Sequence, residues 1–269
     1  LWAALNAVFL GEDLFNLYVA LELLTFAAIP LVCLDGRALT QAAALRFLVF
    51  ALLGSVLYLL GAALLYGAYG TLDIGQLAAR IGGADPLEPA ALIAAALMTA
   101  GLLAKTALFP AHLWLPPAHA GAPAAASALL SALAVKASFF LILRIWFDVM
   151  PELLAQMAAQ VLAALGAAAI LFGGVLALRQ ARLKMLIAYS TIAQIGYLFL
   201  IFPLVASPET APLAELRNAP GAWTGGVLQL VSHACAKAAM FMAAGLIAGS
   251  LGHDRIQDLG GIGRALPMT

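Results

Sequence analysis

Lys105 lies near the end of a long apolar run, residues 90–108, and Pro110 follows it five positions later. A charged side chain at the centre of a bilayer costs roughly 2.5–3.5 kcal/mol on insertion scales. Pro110 has no backbone N–H, so in a continuous helix the carbonyl of Thr106 would lose its hydrogen-bond partner. A membrane protein tolerates such irregular backbone only where protein or water surrounds it. The combination predicts an ion pathway.

Other ionisable residues lie in separate apolar segments. His233 and Lys237 are four positions apart, so they share one face of a helix. Ionisable residues within spans mark proton or ion pathways by default, and histidine can exchange protons near neutral pH. We therefore expect a row of proton-translocating groups across the middle of the bilayer, made of Glu22, Lys105, Lys136, His233 and Lys237.

Each of these groups also has a structural interpretation. Glu22 and a lysine could form a static buried ion pair that fixes helix packing. Lys105 could extend its flexible chain to the interface, whereas Lys136 lies too deep for that. A lone histidine such as His233 could simply be a packed polar residue. The number of charges at depth favours the relay, but the sequence leaves these alternatives open.

Further polar residues could contribute to access or relay. Ser190, Gln194 and Tyr197 form a stripe at positions i, i+4 and i+7 that could line water or bond a neighbouring helix. His112 and His119 flank two prolines after the break, where they could link a half-channel to solvent or cap a half-helix. The segment of Lys136 also holds three serines that could carry protons or pack at helix contacts, namely Ser127, Ser131 and Ser138.

The composition is that of an integral membrane protein. Hydrophobic residues make up 65% of the 269 residues and charged residues 10%, with a mean hydropathy of +1.04. Soluble domains average about 45–50% apolar residues. The formal net charge is zero and gives no indication of nucleic-acid binding. Cys33 and Cys235 both fall in apolar segments and indicate neither disulfides nor a metal cluster. No nucleotide, haem or iron–sulfur motif is present, so we expect no cofactor in this chain.

Apolar segments of about 20 residues predict transmembrane helices. We expect one all-α bundle domain over residues 1–269, with seven full spans after a truncated helix at residues 1–10. Gly, Pro and charged clusters at 35–37, 82–86, 148–152 and 207–220 separate the spans. Residues 72–81 should lie at the interface, and residues 112–123 should form a half-helix after the break. The predicted spans are residues 13–34, 43–67, 89–109, 123–146, 155–178, 183–204 and 224–250.

Basic residues predict the orientation, because cytoplasmic loops carry more Lys and Arg. The smaller set of basic residues is Arg80, Arg144 and Arg217. The larger set should face the cytoplasm of a bacterial inner membrane, and it comprises Arg37, Arg179, Arg182, Lys184, Arg255 and Arg264.

Four stretches resemble the antiporter-like subunits of respiratory complex I and their relatives in membrane-bound hydrogenases and Mrp-type cation/proton antiporters. The first stretch is residues 105–116 (KTALFPAHLWLP), continued by residues 118–123 (AHAGAP) and 127–130 (SALL). The resemblance extends from residue 13 to about residue 264. The other three stretches are residues 13–24 (DLFNLYVALELL), 182–197 (RLKMLIAYSTIAQIGY) and 233–241 (HACAKAAMF).

The resemblance implies a bundle of two inverted repeats, each with one broken helix. Residues 1–150 would form the first repeat and residues 151–269 part of the second, whose own broken helix would follow residue 269. It also implies that Glu22 pairs with Lys105 and that Lys136 is the central relay. His233 and Lys237 would then connect to the second half.

These observations favour a proton-translocating subunit of a redox-driven complex, either an NADH:quinone oxidoreductase or a related hydrogenase. The chain would pump protons without catalysing a reaction, and other membrane subunits would transfer the electrons. One alternative is a subunit of a cation/proton antiporter that moves Na⁺ or H⁺ without redox chemistry. Another is a structural membrane scaffold with static charge pairs. The sequence shows no carboxylate cluster typical of a Na⁺ site, which favours protons.

Overall fold

The computed structural model describes residues 1–84, 88–151, 156–205 and 220–265. Within these ranges the chain is helical, apart from turns and two isolated antiparallel bridges. Seven of the described helices are long and apolar enough to cross a membrane, which confirms the predicted all-α polytopic bundle. They are Leu14–Asp35, Ala38–Tyr69, Pro89–Gly121, Ala124–Val149, Met157–Leu178, Leu183–Val205 and Gly221–Leu251.

Several residues of the predicted loops lie outside the described ranges. The residues concerned are Asp85, Pro86, Glu152 and residues 207–219 with Arg217, and the side chain of Arg264.

The predicted interfacial segment at residues 72–81 is a short helix, and the segment after the break is a half-helix, as expected. The helices in chain order are α1 (Trp2–Leu10), α2 (Leu14–Val32), α3 (Ala38–Tyr69), α4 (Ile74–Gly82), α5 (Pro89–Thr106), α6 (Leu115–Gly121), α7 (Ala124–Leu129), α8 (Val135–Leu143), α9 (Gln156–Leu178), α10 (Leu183–Leu198), α11 (Ile201–Val205), α12 (Pro220–Leu251) and α13 (Ile262–Ala265).

The third span is broken where the proline predicts. Helix α5 ends at Thr106, four residues before Pro110. Ala107 then adopts a left-handed conformation with φ of 57°, and a 3-10 turn over Ala111–Trp114 leads into α6. Because proline cannot donate to the preceding turn, the helix stops one residue after Lys105.

Trp114 stabilises the end of the broken helix. Its indole N–H donates to the carbonyl of Ala104 at 2.9 Å, and its ring stacks on Phe47 of α3 with centroids 4.4 Å apart. A carbonyl released by a helix end needs such a donor when it is buried. The contact therefore holds the backbone next to Lys105 against α3.

The fourth span is one helix with two wide turns. π-helical segments over Leu130–Ala134 and Arg144–Val149 join α7 to α8 and extend α8. Such turns bring an extra residue into the helix and are frequent at functional sites. The first of them immediately precedes Lys136.

At one end of the bundle, loops of the predicted cytoplasmic set meet. The backbones of Arg182 and Arg255 form an isolated bridge. Arg37 and Lys184 both approach the end of α6, where Lys184 Nζ donates to the carbonyl of Ala122 at 2.8 Å and Arg37 Nη2 lies 3.5 Å from the carbonyl oxygen of Gly121. These four basic residues therefore share one end of the bundle.

The opposite end holds Arg80 and Arg144, the described members of the smaller basic set, and Arg80 donates to the carbonyl of Tyr69 at the end of α3. Arg144 pairs with Glu12 at 2.7 Å and with Asp148 at 2.9 Å. The N–H of Leu14 donates to the carbonyl of Leu72 at 2.9 Å, which ties the start of α2 to the loop before α4. Arg80 and Arg144 thus lie at the opposite end of the bundle from Arg37, Arg182, Lys184 and Arg255.

Glycines allow α3 and α5 to approach closely. A Cβ atom at Gly54 would lie 2.5 Å from the carbonyl oxygen of Gly101, and one at Gly101 would lie 2.2 Å from the carbonyl oxygen of Gly54. Small residues bring helix backbones together in membranes. The contact seats α5, and Lys105 at its end, against α3.

We expect Gly54→Ala to lower the free energy of unfolding by about 1–3 kcal/mol, because the added methyl group would strike backbone rather than a flexible side chain. The matched control is Gly67→Ala on the same helix, where an added Cβ meets nothing within 4 Å. Thermal unfolding of the full-length protein in detergent measures both. Equal melting temperatures for the two variants would contradict the packing described.

Candidate functional site

Glu22 of α2 and Lys105 of α5 form an ion pair in the bundle interior. Lys105 Nζ lies 3.1 Å from Glu22 Oε1, and the side chains of Lys105 and Glu22 are 5% and 13% exposed, respectively. Lys105 Nζ also donates to Thr25 Oγ1 at 3.2 Å, and the Ser55 hydroxyl donates to the Glu22 carboxylate. Each charge therefore has a hydroxyl partner besides its counter-ion, which offsets the cost of removing both from water.

A small cavity adjoins the ion pair on the side of the fourth span. Its volume is about 20 Å³, enough for about one water molecule. The polar side chains lining it are Thr25, Lys105 and Ser138, and the α3 and α6 sides are closed by Phe47 and Trp114. The cavity thus extends from Lys105 toward the helix that carries Lys136.

Lys136 and Lys237 donate into one buried polar cluster. Lys136 Nζ donates to the carbonyl of Ser131, in the π-helical turn. Ser131 Oγ lies 2.9 Å from Thr191 Oγ1, which bonds the carbonyl of Ile187 at 2.9 Å. Lys237 Nζ donates to the same Ile187 carbonyl at 3.2 Å. Both lysines are buried, so this cluster links the fourth span to α10 and α12.

The three residues of the predicted polar stripe on α10 have different environments in the structure. Ser190 accepts a hydrogen bond from Lys237 and so joins the cluster. Gln194 accepts one from Gln229 of α12 at 2.7 Å, which fastens the two helices. Tyr197 is 45% exposed and faces the outer surface, so it does not share the environment of the lysines.

Two predicted histidines lie beside the lysine cluster. His233 and His119 are both buried; His233 lies one turn before Lys237 on α12, and His119 stacks on Phe241, one turn after Lys237, with ring centroids 4.7 Å apart. Among the described residues, three buried histidine nitrogens have no hydrogen-bond partner: both ring nitrogens of His233 and the Nδ1 atom of His119. These nitrogens are therefore available to water or to a migrating proton.

His112 has a different environment. Its ring lies between Phe109 and Phe172, with centroid distances of 5.6 and 4.9 Å. It is buried at the broken segment. This aromatic packing suits an anchor for the broken helix more than a link to solvent.

Three hydroxyls at the site were not predicted from the sequence: Thr25 and Ser55, which contact the ion pair, and Thr191, which bonds Ser131. Thr25 had a signal, because it stands three residues after Glu22 and positions i and i+3 share a helix face. No sequence signal pointed to Ser55, because it lies on another helix. Thr191 follows the singled-out Ser190 but points to a different neighbour.

Comparison with known proteins identifies the family. Residues 11–269 match the family described as "NADH:quinone oxidoreductase/Mrp antiporter, TM". The chain belongs to this family. It is 35% identical over 266 residues to NADH-quinone oxidoreductase subunit N of Desulforudis audaxviator, covering 96% of this chain and 48% of that protein. It is 27% identical to a Na(+)/H(+) antiporter subunit of Bacillus subtilis, covering 100% of this chain and 51% of that protein.

Solved structures of the family agree with the fold. A chain of the Mrp complex from Dietzia sp. DQ12-45-1b superposes with a TM-score of 0.81 at 30% identity, over 94% of this chain and 45% of that one. A chain of the membrane-bound sulfane sulfur reductase, an archaeal respiratory membrane complex, gives the same TM-score and identity over 94% and 49%. This chain thus spans about half the length of the relatives it matches.

A double-mutant cycle tests the Glu22–Lys105 pair. We expect Glu22→Gln or Lys105→Met alone to lower the free energy of unfolding by about 3–5 kcal/mol, because each leaves a buried charge without its partner. The double variant should lose less than the sum of the two. Chemical unfolding of the full-length protein supplies the four free energies.

The control is Glu12→Gln, which breaks an ion pair whose carboxylate is 69% exposed. Such pairs contribute about 1 kcal/mol at most. Strictly additive losses at Glu22 and Lys105 would mean that the two side chains do not interact.

Proposed function

We propose that this chain is the proton-conducting part of a membrane subunit in a redox-driven complex, of the NADH:quinone oxidoreductase or related hydrogenase kind. One observation carries the proposal: an ion pair, a water-sized cavity and a two-lysine cluster follow one another through the bundle interior. Relatives named NADH-quinone oxidoreductase subunit N and F(420)H(2) dehydrogenase subunit N support the redox assignment.

The ion pair would be the switch. Two unit charges about 4 Å apart attract by about 4 kcal/mol at an effective dielectric constant of 20. At 1.36 kcal/mol per tenfold change, this energy corresponds to about a thousandfold change in the proton affinity of the lysine. Moving Glu22 away from Lys105 would therefore make the ammonium group unfavourable and release its proton toward the cavity.

Hydroxyl groups and water would carry the proton onward. A carbonyl oxygen only accepts hydrogen bonds, whereas a hydroxyl both donates and accepts. The carbonyls of Ser131 and Ile187 therefore hold the lysines in place. The proton would pass through the hydroxyls of Ser131 and Thr191, with water bridging these hydroxyls to the two lysines. Water in the cavity would connect Lys105 to the helix of Lys136. The hydroxyl of Ser190 would accept the proton that Lys237 donates.

The two histidines, the orientation in the membrane, the two repeats and the partner subunits complete the proposed function. His233, whose ring nitrogens have no partner among the described residues, would serve as a side branch of the relay one turn from Lys237, and His119 would connect it to the end of α6 that Lys184 contacts. That end would face the cytoplasm of a bacterial inner membrane. Residues 1–150 would form the first repeat and residues 151–269 part of the second. Other membrane subunits of the complex would supply the redox chemistry and move Glu22.

A cation/proton antiporter without redox chemistry is the second candidate. It is supported by the likeness to the Bacillus subtilis Na(+)/H(+) antiporter and to the Dietzia Mrp complex. The ionisable groups at depth favour protons over Na⁺, since three buried lysines can bind protons but would repel a metal cation. Co-purifying subunits distinguish the candidates: flavin and iron–sulfur subunits indicate the first, and small membrane subunits alone the second.

We expect Lys105→Ala to abolish proton translocation, because the switch loses its proton carrier. The complete complex in liposomes, driven by its electron donor, provides the measurement as quenching of a pH-sensitive dye. Arg46→Ala, at an exposed position on α3, is the control and should pump normally. Normal pumping by Lys105→Ala would refute the role of this lysine, and normal pumping by Glu22→Gln would favour a structural scaffold.

The hydroxyl route has its own test. Thr191→Val keeps the shape of the side chain but removes its hydroxyl, so we expect the pumping rate to fall by about tenfold, equivalent to about 1.4 kcal/mol in the barrier. Ser127→Ala is the matched control, because the Ser127 hydroxyl bonds the carbonyl of His119 at 3.3 Å and lies outside the link between the lysines. Equal rates for the two variants would place the route elsewhere.

A further inference from the structure

A pocket of about 290 Å³ opens at the end of the bundle where the larger basic set gathers. It lies between the starts of α3 and α10 and the end of α6. Its polar side chains are Arg37, Thr40 and Arg182, and the relay does not use them. The rest of its lining is Leu39, Ala43, Pro117, Ala120 and Gly121.

Both arginines keep hydrogen-bond donors for a ligand. Arg37 uses its Nε atom to bond Asp35 and its Nη2 atom to reach the carbonyl of Gly121 at 3.5 Å, and Arg182 uses its Nε atom to bond Asp254 at 2.9 Å. A guanidinium group has five N–H donors in a planar fork that matches phosphate geometry. The side chains of Arg37 and Arg182 are 67% and 52% exposed, so their terminal nitrogens can reach a bound anion.

The local charge favours an anion. Asp35 and Asp254 are matched by the two arginines that they contact. Lys184, whose ammonium group bonds the carbonyl of Ala122 at this end, adds a positive charge. The pocket therefore has a positive excess even though each arginine already has a carboxylate partner.

The depth of the pocket indicates the kind of anion. Arg37 and Arg182 are the residues that immediately precede α3 and α10, so they lie where two spans leave the apolar region. Leu39, next to them, is 87% exposed. The pocket therefore combines guanidinium groups with apolar side chains, and basic pockets between spans suit anionic lipid headgroups.

We propose that this pocket binds the phosphate headgroup of an anionic phospholipid, held by Arg37 and Arg182 with Thr40 beneath it. The lipid would hold together the starts of α3 and α10 and the end of α6. The site is separate from the proposed relay, so either can be refuted without the other.

The test uses the full-length protein with its associated subunits, purified in detergent and titrated with phosphatidylglycerol or phosphatidylcholine. Native mass spectrometry counts the bound lipid. We expect tighter binding of phosphatidylglycerol, weakened about fivefold by Arg37→Gln and by Arg182→Gln, as expected for one basic residue near a lipid phosphate. Arg179→Gln, exposed at the same end but outside the pocket, should leave the affinity unchanged.

Ala120→Leu gives a second variant that does not disturb the ion pairs. It fills the pocket from α6 and should also weaken binding of phosphatidylglycerol, with the melting temperature recorded as a check on folding. Unchanged affinity in all three pocket variants would overturn the proposal. So would full displacement of the lipid by inorganic phosphate at equal concentration, or cross-linking of the pocket to an acidic segment of a neighbouring subunit.

Discussion

Keeping charged side chains inside an apolar bundle is the constraint on which the rest of the structure depends. Each ion removed from water costs several kcal/mol unless it finds partners in the protein. Glu22 and Lys105 find each other and one hydroxyl apiece. Lys136 and Lys237 have no carboxylate among the contacts described above and rely on carbonyls and hydroxyls. The first arrangement suits a switch, and the second suits groups that gain and lose a proton.

Irregular helices supply many of these partners. The break after Thr106 gives α5 an end within the third span, and the carbonyl of Ala104, next to the lysine, accepts from both the Trp114 indole and the Ala107 N–H. The π-helical turn at Leu130–Ala134 precedes Lys136, which bonds back to the carbonyl of Ser131. Both carbonyls thus bond side chains at an irregular part of a helix. The distortions of the two spans therefore coincide with the positions of the buried ammonium groups.

The sequence predicted the parts of the structure that depend on local chemistry. Span positions followed from apolar length, and the end of α5 followed from the missing N–H of Pro110. The pairing of Glu22 with Lys105 came from the family resemblance, because nothing local shows which distant charges meet. The π-helical turn carries no proline or glycine that would reveal it. The hydrogen bond from Ser55 to Glu22 joins residues 33 positions apart on two helices, so only the packed bundle shows it.

The central claim is that Glu22 and Lys105 separate during turnover. Infrared difference spectroscopy tests it directly, by comparing the complete complex at rest and during electron transfer. The carboxylate band of Glu22 is assigned as the signal that disappears in Glu22→Gln. The account predicts that this band shifts on turnover, as the carboxylate exchanges its ammonium partner for another environment. A Glu22 band that stays unchanged while the complex pumps protons would contradict it.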